Sequence, residues 1–192
     1  MFCRAMARAP VIVNTTWVEA CLRAERLVDR APHLLRDPHL LRDPYHEKGQ
    51  SVDLAASLAR AKQNKGKLLA GQAVFCTPGV ECGYDVCRRI VEANGGLCVL
   101  FEPQKKWENV PSACDRLVLL SGMGSSDRML WPLFREMAHG WPSSKEPVIY
   151  SRSWIVDTAI NQAVVWSDRY CCGGPAQHSG AELAVIVTRK HV

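Results

Sequence analysis

One pattern is written twice in this chain, and the duplication constrains the fold more than any other feature. Pro147-Val148-Ile149-Tyr150, followed by Trp154-Ile155 and Thr158-Ala159, has the same grammar as Pro10-Val11-Ile12-Val13, followed by Trp17-Val18 and Cys21-Leu22, 137 residues earlier. A run of three or four mostly β-branched residues without alternation suits a strand covered on both faces, as in a parallel sheet between helices. Thr16 and Ser153 stand where a helix N-cap is expected, with Glu19 three residues after Thr16 as in a capping box. A tryptophan at the first helical position can fold back onto the sheet and bury on the order of 150 to 250 Å². Its loss is then expected to cost roughly 3 to 5 kcal/mol in either copy. Two copies of one fold unit is the economical explanation.

Only the second copy is preceded by enough chain to complete such a unit. Gln72 to Cys76 reads as a first strand, with Thr77-Pro78-Gly79 as the turn after it. Tyr84, Cys87, Ile90 and Val91 line one helix face, which ends at Asn94-Gly95-Gly96, where glycine permits a left-handed turn. Leu97 to Phe101 and Arg116 to Leu120 read as two further strands. Leu130, Leu133, Phe134, Met137 and Ala138 follow the spacing of a half-sunk helix before the fourth strand and the Trp154 helix. The fold class expected is α/β: a small, mostly parallel four-stranded sheet flanked by helices, preceded by a partial copy of the same unit.

The chain divides accordingly into a remnant of a first unit (1–30), a linker with a helix (31–70), the complete unit (71–170) and a tail (171–192). The linker repeats His33-Leu34-Leu35-Arg36-Asp37-Pro38 as His39-Leu40-Leu41-Arg42-Asp43-Pro44, and its two Asp-Pro steps discourage helix. Leu54, Ala55, Leu58 and Ala61 then have helical spacing, before a Lys-rich turn through Gly66. In the tail, Leu183 to Val187 has the composition of an extra strand or of a frameshifted end. Met1 to Arg8 has arginine and no acid, as a transit peptide would, but Pro10 interrupts the helix such a peptide needs. No stretch approaches the about 20 apolar residues that cross a bilayer. The nine cysteines are odd in number and no two are spaced C-x-x-C. Cys76, Cys82, Cys87 and Cys98 fall on predicted strand or helix positions and read as small buried hydrophobes in a reducing compartment, not as metal ligands.

The element order, the Gly95-Gly96 pair after the first helix and Trp154 after the last strand together resemble a BRCT domain, the phosphoprotein-binding module of DNA-damage proteins. Trp17 with Cys21, the Leu-Leu-Arg-Asp-Pro linker, the Ala-rich linker helix and the segment from Tyr84 to Gly96 are similar to the C-terminal BRCT pair of fungal multi-BRCT genome-maintenance scaffolds of the Rtt/Brc type. The resemblance implies a noncatalytic, nuclear interaction module without cofactor or metal, with phosphorylated proteins, a phosphorylated histone tail among them, as partners. It also implies that the first repeat is truncated, lacking three strands and two helices. In such pairs the first repeat holds the phosphate, with a Ser or Thr after its first strand and a Lys in its second helix. The reason is general: a hydroxyl, backbone N–H groups and a cation at a helix start make an anion site.

In the complete repeat Thr77 occupies the hydroxyl position, while the place of the cation falls on or near Pro132, leaving Arg128 as the nearby substitute. The plainer alternative is that Thr77 caps a turn and Arg128 is solvated. Arg152 matches a position from which some pairs contact the peptide beyond the phosphate, and Val80 and Cys82 would line the same groove. Two other function classes compete. Gly122-Met123-Gly124 follows a strand as a dinucleotide loop should, but Asp127 stands where the third glycine is required. The basic segment Arg60 to Lys67 suits nonspecific contact with DNA phosphates, without the interleaved aromatics of a stacking platform.

Overall fold

The near-continuous apolar runs of residues 72 to 150 are explained by a sheet covered on both faces. In the computed structural model, which describes residues 3, 6, 7, 11–35, 53–103, 110, 114, 116–141 and 145–172, four strands form one sheet. These are β1 (Gln72–Cys76), β2 (Leu97–Leu100), β3 (Arg116–Leu120) and β4 (Val148–Tyr150), in the order β2-β1-β3-β4 and parallel throughout. The helices are α1 (Thr15–Ala24), α2 (Leu54–Asn64), α3 (Tyr84–Ala93), α4 (Ser125–Arg128), α5 (Leu130–His139) and α6 (Arg152–Asn161). The expected α/β architecture is therefore present, with a sheet that is wholly parallel. The second linker hexapeptide, Leu183 to Val187 and most of Met1 to Arg8 lie outside the described residues.

Alternate residues of each strand feed two cores, as the period of two requires. Val74, Cys76, Val118, Leu120 and Tyr150 meet Cys87, Ile90 and Val91 of α3 and Trp154, Ile155 and Ala159 of α6. On the other face Ala73, Phe75, Leu117, Leu119 and Ile149 meet Trp131, Phe134 and Ala138 of α5. Phe75, Phe101 and Phe134 pack edge to face there, with centroids 5.7 to 6.0 Å apart. Helix α3 ends where the glycine pair predicts. Gly95 has φ +81°, and a Cβ on it would meet the Gly66 carbonyl oxygen at 2.6 Å. The side chain that a Cβ at Gly96 would introduce would press on Val91 and Leu69.

The duplication seen in the sequence is a duplication in space. Helix α1 and helix α6 start and stop 137 residues apart, and each ends on a left-handed residue, Glu25 and Gln162. Short 3-10 turns follow at Ala31–His33 and Asp168–Tyr170, and isolated antiparallel bridges join Val13 to Leu34 and Tyr150 to Cys171. The Trp17 indole N–H donates to the Val28 carbonyl at 3.1 Å, and that of Trp154 to the Val165 carbonyl at 3.1 Å. The same backbone step is thus held by the same indole bond in both copies.

Some local expectations fail for identifiable reasons. Both helices begin two residues early: Asn14 caps α1, its side chain accepting from the Thr16 N–H, and Ser151 precedes α6. Glu19 consequently sits too far along for a capping box, and each tryptophan is the third helical residue. Val11 and Ile12 are not strand: among the described residues the pairing there is one isolated antiparallel bridge, Val13 to Leu34, held by the Leu35 N–H donating to the Ile12 carbonyl and the Asn14 N–H to the His33 carbonyl, each at 2.9 Å. In α5, Leu133 is exposed and Trp131 buried, since α4 turns the chain just before Leu130 and sets the helix phase.

Candidate functional site

The carboxyl ends of β1, β3 and β4 converge on the turn after β1, the place where open α/β sheets form a crevice. Thr77 leaves β1 with its N–H bonded to the Leu120 carbonyl at 2.9 Å. Its hydroxyl is fully buried and accepts from the Gly122 N–H at 3.1 Å, so it ties the end of β1 to the end of β3. Two residues on, the Gly79 N–H donates to a carboxylate oxygen of Asp127 at 2.9 Å. Asp127 is itself buried, in the short helix α4. A Cβ at Gly79 would run into that carboxylate, and one at Gly122 into the Gly79 carbonyl and the same carboxylate. Glycine at both places permits the close approach that lets Asp127 reach the turn.

The sequence-predicted residues separate into two groups around this turn. Val80 is buried in the core against α3 and α6, whereas Cys82 is exposed and has φ +68°. Arg152, the first residue of α6, reaches Glu81 with Nε 3.1 Å from a carboxylate oxygen. Its charge also favours a thiolate on Cys82, against the contact with Cys87 and the burial that push that thiol up. Cys82 and Arg152 thus lie on either side of Glu81 at the surface, whereas Val80, expected to line the same groove, is turned into the core because its apolar side chain packs there. Arg128 lies elsewhere: its guanidinium sits over the Trp131 ring, 5.9 Å from the centroid. That indole donates to the Ser121 hydroxyl at 2.7 Å. Pro132 is an exposed residue of the first turn of α5.

Two site residues, Asp127 and Glu81, escape sequence reasoning. Glu81 carries no local signal. Asp127 does carry one, since an acid in the first turn of a helix after a glycine loop is placed to accept backbone N–H groups, but its acceptor role toward Gly79 is long-range. The same carboxylate lies against Gly122, in the loop whose sequence resembles a dinucleotide loop.

The basic segment is partly committed to the fold. Arg60 Nε donates to the Asn161 carbonyl at 2.6 Å, and the Asn64 side-chain amide to the Gln162 carbonyl at 2.9 Å. These two residues of α2 thus cap the orphan carbonyls at the end of α6. Lys62, Lys65 and Lys67 are exposed. Among the described residues no group of three or more His, Cys, Asp or Glu is placed to hold a metal, and no helix is long and apolar enough to cross a membrane.

No family model matches the chain. It is similar to BRCT-containing protein 1 of Schizosaccharomyces pombe, with 25% identity over 162 residues; the match covers 83% of this chain and 18% of that protein. Among solved structures it resembles the BRCT5-BRCT6 domains of Schizosaccharomyces pombe Brc1, with TM-score 0.59 and 23% identity over 84% of this chain and 72% of that one. It also resembles Rtt107p in complex with a phosphorylated histone, with TM-score 0.53 and 9% identity over 88% of this chain and 69% of that one. The fold is of the BRCT type, and the resemblance to fungal BRCT scaffolds read from the residues stands.

Proposed function

We propose, taking the BRCT-type fold as premise, that this chain is a noncatalytic interaction module that binds phosphorylated protein partners, with the complete unit reading peptide beyond the phosphate. The observation that carries the reading is the state of the turn after β1. A hydroxyl and a backbone N–H are what such a turn would offer an anion. Here the Thr77 hydroxyl accepts from Gly122 and the Gly79 N–H is held by the Asp127 carboxylate. A phosphate at this turn would have to displace the Asp127 carboxylate, so the contacts this chain itself offers a phosphorylated partner are Arg152 and the exposed turn at Glu81 and Cys82 beside it. The phosphorylated histone bound in the Rtt107p complex supports a phosphorylated histone tail as the kind of partner. A nuclear role in DNA-damage or replication-fork repair assemblies belongs to the same reading.

Fluorescence anisotropy with a phosphoserine peptide and its unphosphorylated twin tests it. The expected outcome is preference for the phosphopeptide and, in Arg152→Ala, a loss of about tenfold or more in affinity, the scale of one charge-assisted contact. Equal binding of the two peptides defeats the phosphoprotein reading. Equal affinity of wild type and variant removes Arg152 from the site.

A further inference from the structure

Beside the same turn, four cysteines run in a line from the sheet to the surface. The sulfurs of Cys76, at the end of β1, and Cys98, on β2, are 3.6 Å apart; those of Cys82 and Cys87 are also 3.6 Å apart. Equal spacing comes with opposite surroundings. Cys76 and Cys98 are both buried in the core, whereas Cys82 is exposed, with Cys87 buried beneath it in the first turn of α3. Arg152, paired with Glu81 beside the outer pair, carries a charge that favours a thiolate on either sulfur, although the contact with Cys87 and then burial push the Cys82 thiol above its ordinary range. The thiols of Cys76 and Cys82, donating toward it, and then the Arg152 charge, hold Cys87 well below the ordinary thiol range. Cys76 is pushed far above that range by its bonds to Cys87 and Cys98 and by burial. A thiolate beside a cation, with a second sulfur in contact and one of the two at the surface, is the arrangement in which oxidation is fast.

We propose that Cys82 and Cys87 are a redox-active thiol pair that hydrogen peroxide closes to a disulfide while Cys76 and Cys98 stay reduced. When the pair gives up one proton, transfer of the other from Cys82 to Cys87 across their contact places the negative charge on the exposed sulfur. The Cys82 thiolate attacks one peroxide oxygen, the O–O bond breaks, and the departing hydroxide takes a proton to become water, leaving Cys82 as a sulfenic acid. Cys87, as thiolate, then attacks the Cys82 sulfur, the S–O bond breaks, and a second hydroxide leaves and is protonated. In sum two thiols and one peroxide give one disulfide and two waters; the sulfurs lose two electrons and the peroxide gains them. Closure ties the exposed turn to α3 and removes the negative charge facing Arg152.

The test is stepwise oxidation of the reduced chain with hydrogen peroxide, alkylation of remaining thiols with iodoacetamide under denaturing conditions, and mass spectrometry of the digest. Alkylation of Cys82 and Cys87 is expected to fall together, with loss of two hydrogens, about tenfold faster than that of Cys76 and Cys98, and to return with dithiothreitol. Cys82→Ser, an exposed change, is expected to abolish the loss, and Cys76→Ser to preserve it. The proposal is overturned if Cys76 and Cys98 are consumed first, if the loss falls on Cys171 and Cys172 instead, or if the Cys82→Ser variant still loses the two hydrogens at the wild-type rate.

Discussion

Remove the carboxylate of Asp127 and the Gly79 N–H, held in a turn that a single Cβ would crowd, loses its acceptor. Asp127→Ala should therefore destabilise the chain by about 1 to 3 kcal/mol, the cost of a buried donor left unmade. Asp127→Asn keeps an oxygen in place and should cost less than half as much. Urea midpoints at constant slope measure both; equal losses would mean that packing, not the hydrogen bond, is what Asp127 supplies. The sequence displays Asp127 only as the residue that breaks a glycine loop. Its partner lies 48 residues earlier, and no local pattern encodes a bond that exists only once β1 and β3 are side by side. The positions of Thr77 and Arg152 are legible because each adjoins an element end that can be read locally, whereas nothing local announces that Val80 turns into the core, that Cys82 reaches the surface, or that Arg128 rests on Trp131.

At the scale of elements, the tryptophan helices are the part of the fold most fully written in the sequence, because a repeated spacing encodes a repeated geometry. The offset of 137 residues seen in the letters reappears in the caps, the left-handed ends, the 3-10 turns and the indole bonds. Equal geometry does not mean equal energetics. Trp154 is fully buried, packed at 5.4 Å against Trp166 and at 5.6 Å against Tyr150, whereas Trp17 is half-buried and α1 buries no residue completely. Trp154→Ala should cost about 3 to 5 kcal/mol. Trp17→Ala should cost less than half of that, against the equal costs expected from sequence, because burial depends on a covering sheet that the helix pattern cannot announce. Chemical denaturation of the two variants checks the asymmetry, and comparable losses would refute it. The phase of α5 is illegible for a related reason: the periodicity from Leu130 points to Leu133, while the turn made by α4 presents Trp131 to the core.

For the whole molecule, the offset converts one copy into a ruler for the other. Ile155 and Ala159, fully buried under the sheet of the complete unit, correspond to Val18 and Leu22, which are 51% and 73% exposed. The face that makes α6 part of a core is thus presented to water by α1, and Leu27, just after the helix, is 79% exposed as well. Exposed apolar side chains in a contiguous patch promote association, and replacing them removes no buried contact. Val18→Glu with Leu22→Glu should therefore reduce concentration-dependent light scattering and dye binding by the chain, while leaving its melting temperature unchanged, since surface substitutions shift stability by no more than about 0.5 kcal/mol. A fall in melting temperature of several degrees would show instead that these side chains pack against something in the folded chain. Unchanged scattering would show that the patch does not govern association. Both measurements use the full chain, so they weigh the α1 face against the complete unit within one molecule, where the two copies differ in burial and agree in backbone.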